Sequence, residues 1–405
     1  MNLVAIWREL DRRQRNAFTA SFLGWMLDAF DFFLMVFTLR AIAAEFGTDV
    51  RAVALGITLT LAMRPFGALV FGMLADRYGR RPVLMVDILL FSLLEFASAF
   101  APSLPALLVL RAAFGFAMGG EWGIGAALTM ETLPPRARGL ASGILQQGYA
   151  FGYIAAAIVY GLLFERIGWR GMFMVGVLPA LLVLFIRRHV EESPAWAPMR
   201  ARPRTPIAAT IRAHIGLFAY AVVLMTAMNF FSHGTQDLYP TFLQVQHGFS
   251  PRMVSLLVIT GHLGAIISGT TVGALSQRIG RRRAIVGAAL IAIPAIPLWA
   301  FGANVWLLAL GVFGMQAAVQ GAWGVIPIHL NELSPREMRG TFPAFTYQLG
   351  NLFASINATW QAGIAQARGN DYAFALALVA GLSAVAAALI TSVGPEARGA
   401  ALGAE

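Results

Sequence analysis

Long apolar runs, each bounded by charged residues, Pro or Gly, repeat along almost the whole chain. A helix needs about 20 mostly apolar residues to cross the hydrocarbon core of a bilayer. Twelve runs meet that requirement: residues 19–41, 53–75, 83–101, 105–129, 140–163, 171–188, 214–243, 253–275, 284–302, 304–329, 341–365 and 372–393. The pattern therefore predicts an all-α membrane protein with twelve transmembrane helices.

The composition excludes an ordinary soluble enzyme. Of 405 residues, 58% are hydrophobic and 12% are charged, whereas soluble chains carry about 25% charged residues. The longest polar stretch, from Arg187 to Arg212, is short and rich in proline, so we expect no separate soluble domain. We expect no cleavable signal, because the first apolar run is long and contains Asp28 and Asp31. The chain has no cysteine, and no residue cluster predicts a metal or a cofactor.

The placement of arginine predicts the orientation in the membrane. All 30 basic residues are arginines: the segments on the side of the termini hold 22, the opposite loops hold six, and Arg64 and Arg111 lie inside predicted helices. Such a bias marks the cytoplasmic side. We therefore expect a plasma-membrane protein with both termini in the cytoplasm, and we expect it to be a monomer. The net charge of +10 then reflects topology in a lipid bilayer and not nucleic-acid binding.

A shift of 201 residues superimposes the second half of the sequence on the first. The aligned residues are Gly72, Asp76, Arg77, Gly79, Arg80, Arg81, Glu131 and Arg138 with Gly273, Gln277, Arg278, Gly280, Arg281, Arg282, Glu332 and Arg339. Six helices are thus followed by six of the same orientation, which predicts two parallel-repeat six-helix bundles around a central cavity. We expect bundles at residues 1–188 and 213–394, a cytoplasmic linker at 189–212 and a cytoplasmic tail at 395–405.

The loop Gly72-x-x-x-Asp76-Arg77-x-Gly79-Arg80-Arg81 resembles the signature of the major facilitator superfamily, and the likeness extends over essentially the whole chain. It implies a cytoplasmic gate, closed by ion pairs between helix ends. The gate residues would be Asp76, Arg77, Arg80, Arg81, Glu131 and Arg138, with Arg278, Arg281, Glu332 and Arg339 in the second half. The alternative is that these arginines only anchor the loops. Because Gln277 replaces the aspartate, we expect the second gate to be weaker.

Several charged residues lie inside predicted helices, where an ionisable group costs roughly 2.5–3.5 kcal/mol. Arg64, Arg111 and Glu121 correspond to uncharged residues at the shift of 201, so they are better candidates for handling substrate and protons than for architecture. Asp28 and Asp31 lie in the first helix. The alternative is that Arg64 pairs with one of these aspartates and only stiffens the bundle.

The seventh predicted helix carries the densest polar pattern. Asn229, His233 and Asp237 recur every four residues and share one face with Gln236 nearby. A proton that arrives at the His233–Asp237 pair changes both groups. Pro240 removes the N–H that would bond the Gln236 carbonyl, which predicts a broken helix of the kind found at transporter sites. The alternative is a polar seam that only joins helices.

This segment resembles the seventh-helix motif of proton-coupled monocarboxylate permeases, a family that includes fungal lactate–proton symporters and sialate–proton symporters. The matching positions are Asn229, Ser232, His233, Thr235, Gln236, Asp237 and Thr241. The segment 24–33 is similar to that family's first helix. The resemblance implies that the seventh helix takes part in substrate binding and that Arg111 pairs with the substrate anion. The sialate branch has two extra central helices, so the short linker here favours a small carboxylate.

We therefore expect secondary active symport of a small monocarboxylate, such as lactate or pyruvate, with a proton, and no enzymatic activity. The expected substrate-binding residues are Arg111, Arg64, Asn229, His233 and Gln236. The expected proton-coupling residues are Asp237, His233, Asp28, Asp31 and Glu121. The alternatives are another organic anion (sialate, an aromatic acid or a dicarboxylate), an osmolyte, or a sensor of the same fold that does not transport.

Overall fold

Helices make up nearly all of the computed structural model, which describes residues 7, 9–194, 196, 211–335 and 342–396, with side chains except at 135–140 and 142. None of these residues is in a strand. In the first half the helices are α1 Arg12–Glu45, α2 Val50–Tyr78, α3 Arg80–Ser98, α4a Leu104–Met118 and α4b Glu121–Thr132. The next helix, Pro135–Val175, is interrupted at Gly168 (φ 61°), which divides α5 from the beginning of α6; α6 continues as Ala180–His189.

The second half repeats this order. Its helices are α7a Ile215–Gln236, α7b Tyr239–Val245, α8 Pro251–Ile279, α9 Arg281–Phe301, α10a Val305–Trp323, α10b Ile326–Leu333, α11a Phe342–Ala354, α11b Asn357–Ala367 and α12 Tyr372–Val393. Each of the twelve predicted spans corresponds to one helix or one broken helix. By length and hydropathy, nine stretches of the described chain qualify as membrane spans, and one of them, Gly143–His189, contains parts of both α5 and α6.

Two glycines show that the repeat at 201 residues is also a repeat of backbone geometry. Gly79 (φ 110°, ψ 156°) ends α2, and Gly280 (φ 99°, ψ 155°) ends α8. A side chain disfavours this region of φ, so glycine lets one helix end and the next begin within a single residue. Helices α4 and α10 are both broken as well, at residues 119–120 and 324–325, although the second break lies one helical turn beyond the position that the shift of 201 gives.

The predicted break at Pro240 is present between α7a and α7b. The carbonyl oxygen of Gln236, which a continuous helix would bond to residue 240, accepts a hydrogen bond from the Tyr153 hydroxyl at 3.0 Å. Tyr153 belongs to α5 of the first half, so a residue of one half satisfies the carbonyl that the break leaves unbonded in the other half.

The two halves meet through α5 against α8, α2 against both parts of α11, and α1 against α7b. We call the side that holds Gly79, Gly280 and both ends of the described chain the terminal face, and the other side the opposite face. Several hydrogen bonds join the halves toward the opposite face. They are Arg40–Gln244 O, Gln244–Phe37 O, Gln244–Tyr160, Ser255–Ala157 O, Thr58–Thr359 and Gln366–Asp49.

The outer surface is apolar, as a lipid environment requires. Large hydrophobic side chains such as Trp306 and Val109 are 83% and 69% exposed. The bundle boundaries remain predictions, and most of the expected linker and tail lie outside the described residues.

Candidate functional site

A cavity of about 290 Å³, including its open mouth, lies between the two halves near mid-depth. Helices α1 and α5 contribute from the first half, and α7a, α10a and α11a contribute from the second. The lining residues are Trp25, Gln146, Tyr149, Asn229, Ser232, His233, Gln320, Trp323 and Tyr347. This interface is where transporters of two parallel bundles place their substrate sites.

Aromatic rings form a continuous series around this cavity. Trp25 lies 5.8 Å from Tyr149 and 6.4 Å from Trp122, measured between ring centroids. Tyr347 then contacts Trp122 at 5.4 Å and Trp323 at 5.8 Å. Trp122 and Trp323 correspond under the shift of 201, so the repeat brings one tryptophan from each half to the same tyrosine.

His233 connects the cavity to a buried acid. Its Nδ1 lies 3.1 and 3.2 Å from the two carboxylate oxygens of Asp237, which is completely buried one turn further on. With its proton on Nδ1, His233 donates to this carboxylate, and Nε2 is left as the nitrogen that Asp237 does not engage. The sequence predicted this contact, and the structure places His233 among the residues that line the cavity.

Arg64 lies one layer behind the cavity wall. Its Nη2 donates to Asp28 Oδ2 at 3.1 Å, and its guanidinium carbon lies 5.8 Å from the centroid of the Trp25 ring. Both side chains of this ion pair are buried, while Arg64 Nε and Asp28 Oδ1 have no hydrogen-bond partner among the described residues. The pairing with Asp28 that the sequence allowed is therefore present, and the pair is incompletely bonded.

Arg111 is placed differently from what the family resemblance implied. Its Nη2 donates to Glu95 at 2.6 Å and to the Ser98 hydroxyl at 2.7 Å, deep inside the first half. Its guanidinium also packs on the rings of Phe114 and Phe173, at 4.3 and 5.1 Å. Arg111 does not line the cavity, because α3 and α6 hold its side chain on their side of α4a.

The other predicted proton carriers are buried carboxyl groups without hydrogen-bond partners among the described residues. Both oxygens of Asp31 and both oxygens of Glu121 are in this state, and so are those of Asp87. Asp31 lies beside Glu95 at Gly176 of α6, whereas Glu121 packs against Gly24 of α1. None of the three lines the cavity.

The amide side chains of the second half are mostly engaged with one another and with the backbone. Gln236 Nε2 donates to Gln316 Oε1 at 2.9 Å, so Gln236, a predicted substrate ligand, points into the second half and not into the cavity. Gln361 donates to the Gly234 carbonyl at 2.8 Å. Asn229 lines the cavity and makes one long bond, 3.4 Å, to the Tyr347 carbonyl.

The predicted gate residues form one cluster in each half at the terminal face. Arg80 contacts Asp76 at 2.5 Å and Glu131 at 3.2 Å. Arg281 makes two bonds to Glu332, both 3.0 Å. It also donates to Ser276 at 2.6 Å and to Gln277 at 3.0 Å. Where the first half has Asp76 the second half has Gln277, and there the arginine bonds to the glutamate at two points instead of one.

The remaining gate residues lie at the edge of these clusters or outside the description. Arg77 and Arg278 are exposed, and Arg81 donates to the Arg187 carbonyl. The Arg138 side chain and all of Arg339 are outside the described residues.

A glutamate that follows each half reaches back to that half's gate loop. Glu192 accepts hydrogen bonds from the backbone N–H groups of Arg80 and Arg81, at 2.9 and 3.2 Å. Glu396 does the same for Arg281 and Arg282, at 3.2 and 3.0 Å. These carboxylates therefore cap the first turns of α3 and α9, where free N–H groups favour a negative charge.

The aromatic cavity wall and Gln146 were not among the predicted site residues. Trp25 falls within the first-helix segment that carried the family resemblance, and the shift of 201 also aligns Trp122 with Trp323. That pairing was the available signal, although duplicated tryptophans also occur for packing alone.

The Major Facilitator Superfamily profile matches residues 21–356 of this chain. Similar proteins include "Sialic acid transporter NanX" of Escherichia coli K12, 29% identical, with 89% of this chain and 90% of NanX covered. "Probable 4-methylmuconolactone transporter" of Cupriavidus pinatubonensis is 31% identical, with coverages of 84% and 81%. A structure of the xylose transporter XylE from E. coli superimposes with a TM-score of 0.76 at 18% identity, covering 97% of this chain and all of XylE.

The fold and the site thus define an integral membrane transporter with twelve helices, and not an enzyme. The chain belongs to the Major Facilitator Superfamily.

Proposed function

We propose that this chain imports a small organic monocarboxylate together with a proton across the cytoplasmic membrane, with both termini in the cytoplasm. The observation that carries the proposal is the His233–Asp237 pair, whose histidine lines the cavity between the halves and whose aspartate is buried directly behind it. The names of the relatives, as transporters of sialate and methylmuconolactone, support an organic acid as the substrate.

Two charged pairs lie at or behind the cavity wall, and each can interact with one of the two cargoes. His233–Asp237 can take up the proton, and Arg64–Asp28 can contribute positive charge for the carboxylate. A proton shared by His233 and Asp237 gives the cavity an imidazolium that attracts a carboxylate. Arg64, whose guanidinium is always charged, lies behind Trp25 and adds a positive field. Asn229, Gln146 and Gln320 provide donors in the wall.

Coupling follows from the cost of an unbalanced charge in a closed site. A carboxylate that enters without the proton would add a negative charge beside Asp237, and closing the site around it would be unfavourable. With both cargoes bound the charges balance, and the halves can rock around the loaded cavity. When the halves rock to open the opposite face, the hydrogen bonds that join them there would break.

The test is transport by the full chain in proteoliposomes with an imposed inward proton gradient, with labelled lactate and labelled benzoate as substrates. We expect the gradient to drive accumulation of at least one of them. In Asp237→Asn we expect this drive to be lost while exchange of substrate across the membrane continues, because the proton site is gone but the cavity remains.

The matched control is Glu165→Gln, which removes an exposed carboxylate at the opposite face. It should keep both activities. Gradient-driven accumulation that persists in Asp237→Asn would contradict the assignment of the proton to this pair. A competition panel of sialate, dicarboxylates and betaine distinguishes the alternative substrates.

A further inference from the structure

The aromatic rings of the cavity bear on the class of substrate, an inference that rests on the proposed transport of a carboxylate. Four of the lining residues are Trp25, Tyr149, Trp323 and Tyr347, and they come from four different helices. Ring faces stack on flat conjugated groups, whereas a short saturated hydroxy acid offers them no comparable surface. A site built mainly for lactate would not require so many rings.

Two donors in this wall lack an acceptor. Trp25 Nε1 and Trp323 Nε1 are both buried, and neither has a hydrogen-bond partner among the described residues. Buried donors are nearly always paired, and an indole N–H can only donate. Trp25 belongs to the first half and Trp323 to the second, so each half brings one unpartnered indole N–H to the residues that line the cavity.

We propose that the cavity selects a planar, conjugated carboxylate, which the rings of Trp25, Tyr149, Trp323 and Tyr347 enclose and whose oxygens accept from the indole N–H groups. Four ring faces around one site suit an acid with a single ring or a short diene. The proposal narrows the substrate from small monocarboxylates in general to planar, conjugated ones, and lactate should bind more weakly than these.

Benzoate and cyclohexanecarboxylate provide a matched pair of probes. Each carries one carboxylate on a six-carbon ring, but only benzoate is flat and aromatic. Equilibrium binding of each to the purified full chain, with lactate as a third probe, measures selectivity independently of proton coupling. We expect benzoate to bind about tenfold or more tightly than cyclohexanecarboxylate, the effect of one to two ring contacts.

Variants of Trp323 assign the selectivity to the wall. Trp323→Leu should reduce the benzoate preference to about twofold or less, whereas Trp323→Phe, which keeps a ring, should retain a larger part of it. Trp306→Leu is the matched control, because Trp306 is 83% exposed on the outer surface and should leave the preference unchanged. If Trp323→Leu does not fold, Tyr149→Leu against Tyr149→Phe makes the same comparison.

The outcomes separate this inference from the proposed function. Equal binding of benzoate and cyclohexanecarboxylate to the wild type would overturn the aromatic site even if proton-driven uptake is observed. So would an undiminished preference for benzoate in both Trp323→Leu and Tyr149→Leu. A strong preference for benzoate that depends on the rings, without any proton-driven uptake, would support the site and overturn symport instead.

Discussion

The two halves of this transporter share a framework and differ in the chemistry that they enclose. Apart from the gate cluster, the described part of the first half buries five carboxyl groups and two arginines: Asp28, Asp31, Asp87, Glu95, Glu121, Arg64 and Arg111. The second half buries amides in their place, with one histidine–aspartate pair beside the cavity: Asn229, Gln236, Gln316, Gln320, Gln348, Asn351, Asn357, Gln361, His233 and Asp237.

This contrast separates what duplication preserved from what was added for function. The repeated features are the glycines between helices and the gate arginines: Gly79 with Gly280, and Arg80 with Arg281. Both mid-depth arginines and all of the buried mid-depth carboxyl groups except Asp237 lie in the first half. Carboxyl groups can change charge as they take up or lose protons, whereas amides hold fixed dipoles. We therefore infer that the first half supplies the fixed positive charges and most of the buried carboxyl groups, while the second half supplies the amides and the His233–Asp237 pair at the cavity.

The largest effect is expected from breaking the Arg64–Asp28 pair. Arg64→Met leaves a buried carboxylate without its counter-charge, which destabilises a fold by about 3–5 kcal/mol when the group stays ionised. The double variant Arg64→Met with Asp28→Leu should recover most of this stability but not transport. Thermal unfolding in detergent and uptake in proteoliposomes measure the two quantities. A double variant that transports normally would assign the pair to the scaffold.

The Arg111–Glu95 pair provides the contrasting case within the same half. Arg111→Met alone should destabilise the protein by a similar amount, about 3–5 kcal/mol. Because Arg111 lies away from the cavity, Arg111→Met with Glu95→Met should recover stability and keep at least half of the wild-type uptake. If uptake falls as far as in the Arg64 double variant, Arg111 contacts the substrate in another conformation, as the family resemblance implied.

A smaller difference is expected between the two gates. Glu332→Gln removes the charge from the two-point pairing with Arg281, while Glu131→Gln removes a single bond to Arg80, which keeps Asp76. Charge-assisted hydrogen bonds contribute about 1.5–3 kcal/mol, so Glu332→Gln should lower the unfolding temperature more than Glu131→Gln. The reverse order would show that the aspartate-containing gate is the stronger, as the sequence alone suggested.

The smallest effect concerns the shared framework. Gly79→Ala and Gly280→Ala each force a side chain into a backbone conformation with φ near +100°, which costs about 1–2 kcal/mol. Gly79→Ala should lose somewhat more than Gly280→Ala, because the carbon added at residue 79 would overlap the Glu192 carboxylate, whereas at residue 280 the nearest atom is Glu396 Oε2 at 3.3 Å. Gly72→Ala is the control, since nothing lies within 4 Å of the added carbon and the helix favours alanine by about 0.5–1 kcal/mol. The thermal unfolding temperatures of the three variants measure these differences in stability.

Much of the fold was predictable because it depends on features that can be read along the sequence without knowing which helices pack together. The apolar runs predicted the twelve helices, the shift of 201 predicted the equivalence of Gly79 and Gly280, and Pro240 predicted the break in α7. The His233–Asp237 contact was also predictable, since residues four apart meet on a helix.

The remaining contacts depend on how each helix is rotated about its axis. A helix that is apolar all round carries little periodic signal for that rotation, and α1 is an example, with buried residues on every side. The sequence therefore did not predict that Arg111 pairs with Glu95, that Gln236 points toward Gln316, or that Trp25 and Tyr149 form a cavity wall.

The hydrogen bond from Tyr153 to the Gln236 carbonyl has a consequence for the hydration of the transport cycle. A hydroxyl from one half satisfies a peptide oxygen of the other, so this oxygen loses its partner whenever the halves separate at that level. A bare carbonyl at that depth is costly, and water is the available substitute. Each change of orientation of the transporter should therefore bring water to this peptide group or remove it. The infrared C=O stretching band of Gln236 should then differ between the two orientations.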